Sequence, residues 1–409
     1  MIREFWVENF LSIKERQTIS FESKIKADEH YFAVDMGWSN RVNKLGIFFG
    51  ANASGKSNML LAIQTVFHLL THAQTARTAP VPSRPPFALS KEKPTSMFVS
   101  FYANQIRYDY SVVYNAHHIV SERLEWYPNK SKSLFYERKY TSDDLQSYIK
   151  FGGSLDLSPK TEDIFVQNTL NNHTVLSVFE KNALGPDAKP IADLYHWISE
   201  HVVTTFQLRK MKLADQIRQV IGDKRQKNFY LMMLGQADFN ITDFFLQTLS
   251  SGEEKVVFVC KAEERHFELG EDEQSAGTLK FISFLPLLYQ LIMGEKIVII
   301  DEIDESLHDE LLAYVMQIYI LNSKHSQLLF TSQEITLLMD ELLNEHRYLA
   351  FFVEKDKASA SSEYTRGDEF GLHKNLSLYH SYCNGRMGAL PELGSPIIYD
   401  DWFEEYEAK

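Results

Sequence analysis

Cysteine is nearly absent. The 409 residues hold two, Cys260 and Cys383, with no Cys-x-x-Cys pair. This argues against a disulfide framework or a structural zinc site and fits a reducing cytoplasm. The opening Met1-Ile2-Arg3-Glu4-Phe5 lacks the charged start and long apolar segment of a signal peptide. The most apolar window, 281–293, is too short to span a bilayer and carries Ser283, Pro286 and Gln290. These absences predict a soluble cytoplasmic protein with no membrane contact. Positive charge is also in deficit: 42 Lys and Arg stand against 55 Asp and Glu, a net charge of −13. Such a chain is not a general polyanion binder, and any nucleic-acid contact needs a local basic patch. No heptad run and no internal repeat are visible.

What is present centres on Gly46-Ile47-Phe48-Phe49-Gly50-Ala51-Asn52-Ala53-Ser54-Gly55-Lys56-Ser57-Asn58. Residues 47–49 read as a short buried strand and 50–57 as a loop. Met59, Leu60, Ala62, Ile63, Val66, Phe67 and Leu70 then recur at helical spacing. The loop fits G-x-x-x-x-G-K-[ST] at every fixed position, in the strand–loop–helix context a phosphate-binding loop requires. Gly50 and Gly55 let the backbone curl so that N–H groups point at an anion, and the helix adds its positive end. The expected nucleotide contacts are Gly50, Asn52, Ala53, Ser54, Gly55, Lys56, Ser57 and Asn58. Lys56 would reach the β- and γ-phosphates, and the Ser57 hydroxyl would ligate Mg²⁺. The plain alternative is a glycine turn that meets the pattern by chance.

Residues 1–45 read as strands. Residues 71–95 hold five of the twelve prolines and predict an irregular connection. The runs 97–102, 106–114 and 119–127, separated by Ala103-Asn104 and Asn115-Ala116, predict an antiparallel meander, with a further strand at 134–136. From 161 to 235 the pattern is helical. Strands return at 241–249, 256–260 and 266–269. Beyond 275 the chain alternates: a helix at 279–291 with Pro286 near a kink or in its first turns, a strand at 297–300, a helix at 307–320, a strand at 328–330 and a helix at 335–343. Ile297-Val298-Ile299-Ile300 has no polar residue, so it is a central strand covered on both faces. Three parts are expected: an N-terminal lobe 1–160, a helical insert 161–240 and a C-terminal lobe 241–409.

That central strand ends in Asp301-Glu302. An acidic pair at the carboxyl end of such a strand lies beside the phosphate loop in P-loop folds. Asp301 is expected to bind Mg²⁺, directly or through water, and Glu302 to polarise the attacking water. The plain alternative is the start of a surface turn. Ser275-Ala276-Gly277-Thr278 opens a helix 26 residues before Asp301, after Glu271-Asp272-Glu273. A hydroxyl and N–H groups at a helix start suit a γ-phosphate. As an isolated tetrapeptide the same residues are an ordinary helix cap.

Together these motifs resemble the ABC-ATPase heads of the SMC and RecF group. More closely, the chain resembles the compact AAA-type ATPases of bacterial abortive-infection, retron and OLD-like defence systems. The resemblance runs through Asn9-Phe10-Leu11-Ser12-Ile13, the phosphate loop, Pro86-Phe87, residues 119–124, Ala237-Asp238 with Ile241, Ser275 to Thr278, residues 301–308 and Phe352-Val353-Glu354-Lys355. It ends at Tyr382-Cys383-Asn384-Gly385-Arg386-Met387-Gly388-Ala389-Leu390-Pro391. It implies an α/β ABC-ATPase head (P-loop NTPase) with an antiparallel β-meander and a helical insert. It also implies that Ser275 and Gly277 complete the ATP site of a second subunit, so that ATP sits at the interface of a dimer or higher oligomer. Residues 304–309 would reach across that interface. Such enzymes usually place a histidine after the strand 328–330; here Thr331-Ser332-Gln333 puts Gln333 there. Glutamine donates a hydrogen bond but shuttles no proton, which implies slow hydrolysis or a switch. The implied catalytic set is Glu302, Lys56 and Gln333, the metal ligands are Ser57 and Asp301, and the cofactors are ATP and Mg²⁺.

Two absences refine the resemblance. The insert is too short for the coiled coil that splits SMC heads. Fewer than 110 residues follow Glu302, with no Asp-x-Asp pair for a Toprim nuclease. The implied role is an ATP-dependent sensor and scaffold in antiphage defence that controls a separate toxic effector, such as a nuclease. The alternative is a repair or recombination ATPase that clamps DNA through 209–227. That segment sets Arg209, Lys210, Lys212, Arg218, Lys224, Arg225 and Lys227 against Asp215 and Asp223, and it also reads as a solvated helix face. A transporter subunit fits poorly. His117-His118, adjacent on an expected strand, point to opposite faces and do not share a metal. Trp126, Trp197 and Trp402 read as core or interface residues.

Overall fold

The structure, a computed structural model, describes residues 1–409 apart from 24–30, 38–39, 130, 142–145, 183, 205–211, 238, 306, 308, 389 and 391–409. β1 (Ile2–Glu8) and β2 (Gln17–Ser20) lead through β3 (Ala33–Asp35) and β4 (Arg41–Asn43) to β5 (Leu45–Phe49) and α1 (Lys56–Thr71). A meander follows: β6 (Thr95–Ala103), β7 (Ile106–Tyr114), β8 (Ile119–Trp126), β9 (Ser133–Thr141) and β10 (Gln146–Phe151). Then come α2 (Pro159–Asn168), α3 (Lys189–His201), β11 (Val202–Thr204), α4 (Leu213–Ile221) and α5 (Lys224–Gln236). A hairpin sheet of β12 (Ile241–Thr248), β13 (Glu254–Ala262) and β14 (Arg265–Gly270) precedes α6 (Ala276–Met293), β15 (Ile297–Ile300), α7 (Asp309–Asn322) and β16 (Gln327–Thr331). The chain closes with α8 (Glu341–Glu345), β17 (Ala350–Lys355), β18 (Ser362–Arg366) and α9 (Leu378–Cys383).

Two large sheets organise these elements. One is antiparallel, in the order β10-β9-β8-β7-β6-β1-β2. The other runs β11-β15-β16-β5-β17-β18 and is parallel except for β18. The apolar runs of the parallel sheet work through the period of two that strands impose. Leu45, Ile47, Phe49, Val298, Ile300, Leu328, Phe330, Ala350 and Phe352 enter one core, shared with α6, α7 and the hairpin sheet. Phe48, Ile297, Ile299, Leu329, Phe351 and Val353 enter the other, shared with α1 and the antiparallel sheet. The sheet is therefore covered on both faces, as the unbroken apolar strand at 297–300 predicts.

Asn9, almost wholly buried, joins two short stretches far apart in sequence, the end of β1 and residues 87–94. Its amide donates to Ser90, Lys93 and Pro94 carbonyls at 2.8–3.2 Å, and its Oδ1 accepts from Phe87 N–H and the Ser90 hydroxyl. One side chain thus orders the proline-rich connection against the end of β1. Beneath the antiparallel sheet, Arg138 and Glu122 pair at 3.4 Å with no exposure of either side chain. Arg138 also donates to the His173 and Leu170 carbonyls, and Glu122 accepts from Val175 N–H and Tyr110 OH. This network fastens residues 170–175 to the sheet.

The structure departs from expectation in several places. Within the stretch expected to be helical, Val202–Thr204 forms an edge strand parallel to β15. Pro286 lies inside α6, as the sequence predicts, but beyond its first turns. The helix expected at 335–343 is a 3₁₀ turn, Ile335–Met339, followed by α8, because the Asp340 carboxylate caps a new start by accepting from Leu342 N–H. His117 and His118 lie in the turn between β7 and β8 rather than on a strand. Trp126 and Trp197 are buried, and Trp402 falls outside the described residues.

In the basic segment, Arg218 pairs with Asp215 and Glu254, and Lys227 with Asp243 at 2.6 Å; Arg209 and Lys210 fall outside the described residues. α6 is the one described helix long and apolar enough to cross a bilayer, and its Phe281, Ile282, Leu285, Leu287, Leu288 and Leu291 are buried in the second core.

Candidate functional site

The loop after β5 is shaped by close approach. A side chain at Gly50 would strike the Val353 carbonyl, and one at Gly55 would strike the Ser362 and Ser12 hydroxyls. Gly55 (φ 104°) and Ala53 (φ 62°) both lie in the left-handed region, the second at a cost of about 1–2 kcal/mol. α1 starts directly after Gly55 with no side-chain cap; Asn58 N–H bonds the Gly55 carbonyl, and the Lys56 and Ser57 N–H groups at the helix start suit an external acceptor. Ser57 is the second residue of that turn. The Lys56 ammonium lies back across the loop, donating to the Gly50 carbonyl (2.6 Å) and the Ala51 carbonyl (3.0 Å). Burial lowers its pKa, while Asp304, Glu302 and Asp301 act in the opposite direction. The lysine and the acidic cluster therefore share one field.

Parallel register brings that cluster to the loop. Ile300 lies opposite Phe330, and Phe330 opposite Ile47, so β16 stands between the loop strand and the strand that ends in Asp301. Thr331, the last residue of β16, donates its hydroxyl to Asp301 Oδ1 (2.7 Å) and accepts the Glu302 N–H (2.7 Å). Glu302 has φ 53°, a strained conformation for a non-glycine residue. Gln333, exposed, donates its side-chain amide to Glu302 Oε1 (3.4 Å) and its backbone N–H to Asp304 Oδ2 (3.2 Å).

Ser275 and Gly277 are exposed at the start of α6. The Ser275 hydroxyl caps the helix, accepting from Thr278 N–H at 3.1 Å. Among the described residues, no hydrogen bond connects Ser275 or Gly277 to residues 50–58. Asn58 turns its amide to Ser12 Oγ (2.6 Å). His308 lies outside the described residues.

Four more residues serve the site: Thr331, which the sequence offers only within Thr331-Ser332-Gln333, Ser12, which it offers only within Asn9-Phe10-Leu11-Ser12-Ile13, and Ser362 and Tyr364, which belong to no motif. For Ser362 and Tyr364 the sequence offers only the hydroxyl-rich run 359–364.

The residues present fit a nucleoside triphosphate with a divalent cation. The Ser54 hydroxyl in the loop and Asp304 Oδ1 in the acidic cluster are buried with no hydrogen-bond partner among the described residues. Residues 51–54, 353–357 and Leu390 line a cavity of about 540 Å³ beside the loop. A cavity of about 570 Å³ around His68 and Tyr195 lies at the far end of α1; neither cavity is lined by Asp301, Glu302 or Asp304.

A glycine loop and a strand-ending acidic pair on one carboxyl edge, separated by a single strand, make this a P-loop NTPase fold, backed by an antiparallel sheet. The chain belongs to the family described as "AAA domain, putative AbiEii toxin, Type IV TA system", which matches residues 47–340. A comparison with curated proteins finds no match. Among solved structures it is similar to the SMC head domain from Thermotoga maritima, with 14% identity, a TM-score of 0.41, and 89% of this chain and 98% of that chain covered. It is also similar to the SmcHead bound to the C-winged helix domain of ScpA (14%, TM-score 0.44, 93% and 99%). A third is the Smc head domain with an extended coiled coil bound to the C-terminal domain of ScpA derived from Pyrococcus furiosus (12%, TM-score 0.37, 94% and 98%). These likenesses are distant, and the fold assignment stands on the sheet order and the loop.

Proposed function

We propose that this chain binds ATP with Mg²⁺ at Gly50, Asn52, Ala53, Ser54, Gly55, Lys56, Ser57 and Asn58, and turns it over slowly in an oligomer. The observation that carries this reading is the pairing of Asp301 and Glu302 by one threonine, within the field of Lys56. Ser57 and Asp301 hold the cation, which when bound neutralises phosphate charge. Glu302 accepts a proton from, and orients, the attacking water. Gln333 donates to Glu302 and so keeps that carboxylate in place without a proton to pass on. Ser275 and Gly277, exposed at a helix start, complete the site of a second copy.

In the cytoplasm, nucleotide-dependent assembly then acts as sensor and scaffold for a separate toxic effector in antiphage defence. The toxin–antitoxin wording of the family description supports that setting. The ion pairs of Arg218 and Lys227 count against DNA clamping as the main role.

The test is nucleotide binding and oligomeric state in two variants. Lys56→Ala loses tight ATP binding, and Glu302→Gln keeps ATP and accumulates a closed oligomer. Unchanged affinity in the first, or wild-type turnover in the second, removes the corresponding role. A salt-dependent DNA shift abolished by reversing Lys212, Lys224 and Arg225 would favour the DNA-clamp reading instead.

A further inference from the structure

Ser54 and Gly55 sit at the bend where the loop enters α1, and both are gripped from behind by β18. The Ser362 hydroxyl donates to the Ser54 carbonyl (2.5 Å), and the Tyr364 hydroxyl donates to the Gly55 carbonyl (2.6 Å). In a trans peptide unit the C=O and the N–H that follows it point in opposite directions. Holding the Ser54 carbonyl toward β18 therefore turns the Gly55 N–H to the other side, the concave side. Holding the Gly55 carbonyl does the same for the Lys56 N–H. Asn58 N–H also bonds the Gly55 carbonyl (2.9 Å), so Tyr364 fills its second lone pair.

The proton directions follow. Ser362 has one hydroxyl proton, committed to Ser54. Its 2.6 Å contact with Ser12 Oγ is then donated by Ser12, which in turn accepts from Asn58 Nδ2 at 2.6 Å. The result is a single directed chain from Asn58 through Ser12 and Ser362 to the Ser54 carbonyl, each bond polarising the next. It begins on the first turn of α1 and ends on the loop. Ser362 is fully buried and Tyr364 nearly so. Burial raises the Tyr364 phenol, which keeps its proton and stays a donor. β18 is itself tied to the turn between β1 and β2: Ser362 N–H donates to the Ser12 carbonyl (2.8 Å), Lys14 N–H to Ser361 Oγ (3.1 Å), and Tyr364 N–H to Gln17 Oε1 (3.1 Å).

We propose that Ser362 and Tyr364 are positioning residues of the phosphate loop, holding the Gly55 and Lys56 N–H groups aimed at a polyphosphate before it arrives. This rests on the reading of Gly50 to Ser57 as the ATP site. Neither hydroxyl touches the ligand. Each acts through a backbone carbonyl, so the energy of aligning the loop is spent on folding rather than on binding.

The experiment measures ADP and Mg²⁺–ATP affinity by calorimetry on the full chain, with the melting temperature of the unliganded protein and a KM-against-kcat comparison. The variants are Tyr364→Phe, Ser362→Ala, Ser362→Thr and Lys56→Ala. Tyr364→Phe and Ser362→Ala each weaken ADP by about 3- to 10-fold, the worth of one buried hydrogen bond. KM rises more than kcat falls, the loss of ADP affinity exceeds what the change in unliganded melting temperature accounts for, and Ser362→Thr recovers binding. The proposal is overturned if both hydroxyl deletions bind ADP as wild type does, or if their affinity falls only in step with melting temperature. Should Ser362→Ala not fold, Tyr364→Phe decides alone. If Lys56→Ala binds nucleotide normally, the ATP-site reading fails and takes this proposal with it. If Lys56→Ala loses binding while Tyr364→Phe and Ser362→Ala do not, only the positioning role fails.

Discussion

The Thr331 hydroxyl donates to Asp301 Oδ1 over 2.7 Å, and the same oxygen accepts the Glu302 N–H over 2.7 Å. Two acidic residues consecutive in sequence are thus set by one side chain from the neighbouring strand. Glu302 is held in the left-handed region (φ 53°) while it makes this bond, so the threonine offsets part of the backbone strain at the residue assigned to the water.

Thr331→Val keeps the shape and removes both bonds. Hydrogen bonds to charged groups are worth about 1.5–3 kcal/mol, so turnover should fall by about 10- to 100-fold. Metal-free nucleotide affinity should stay within about 3-fold, because the threonine lies on the acidic side of the site and not on the loop. Thr331→Ser should restore most of the rate. Steady-state ATPase assays with nucleotide titrations check this, and a valine variant with full turnover would show the bridge to be dispensable.

Gln333→His tests the switch position. The glutamine amide reaches Glu302 at 3.4 Å and is exposed, so an imidazole can take its place without entering a core. Turnover should be unchanged or higher, because histidine adds a proton shuttle near neutral pH. Loss of ATP binding in this variant would mean that Gln333 supports the fold of the site.

His173 sets a pH dependence. It is buried, and burial followed by the nearby Arg138 lowers its pKa from 6.5 to about 4. Backbone N–H groups face both ring nitrogens, Gln74 N–H at Nδ1 (3.1 Å) and Leu170 N–H at Nε2 (3.0 Å); the neutral ring accepts one of them, and an imidazolium, protonated on both nitrogens, accepts neither. Because the folded value is depressed, the unfolded chain binds more protons between the two values. The stability contribution is full above pH 6.5 and is lost as pH falls toward 4, by about 3 kcal/mol at most. Urea unfolding at pH 7 and pH 4.5 should show a smaller pH difference for His173→Gln than for wild type. Equal differences would show that another group is responsible.

Much of the site was legible because its signals are local. The loop's fixed positions fall within eight residues, and its strand and helix flank it directly. The acidic pair follows four residues whose lack of polarity fits only a strand covered on both faces. β11 escaped notice because three residues between helices carry no period. The break in the helix expected at 335–343 depends on the Asp340 carboxylate preferring to cap a new turn. Asn9 was visible as part of a motif, but its role in holding residues 87–94 depends on a meeting that spacing does not encode.

By itself, the sequence determined the phosphate loop, the acidic strand end and the parity that sorts β5, β15, β16 and β17 into two cores. Covalent spacing and hydrophobic period act over a few residues, and those features need nothing more. Tertiary structure alone decided that β16 stands between the loop and Asp301, that Thr331 joins Asp301 to Glu302, and that Ser362 and Tyr364 hold the Ser54 and Gly55 carbonyls. Each of these joins strands that are distant in sequence, and only the packed sheet places one strand's hydroxyl within 3 Å of another's backbone or carboxylate.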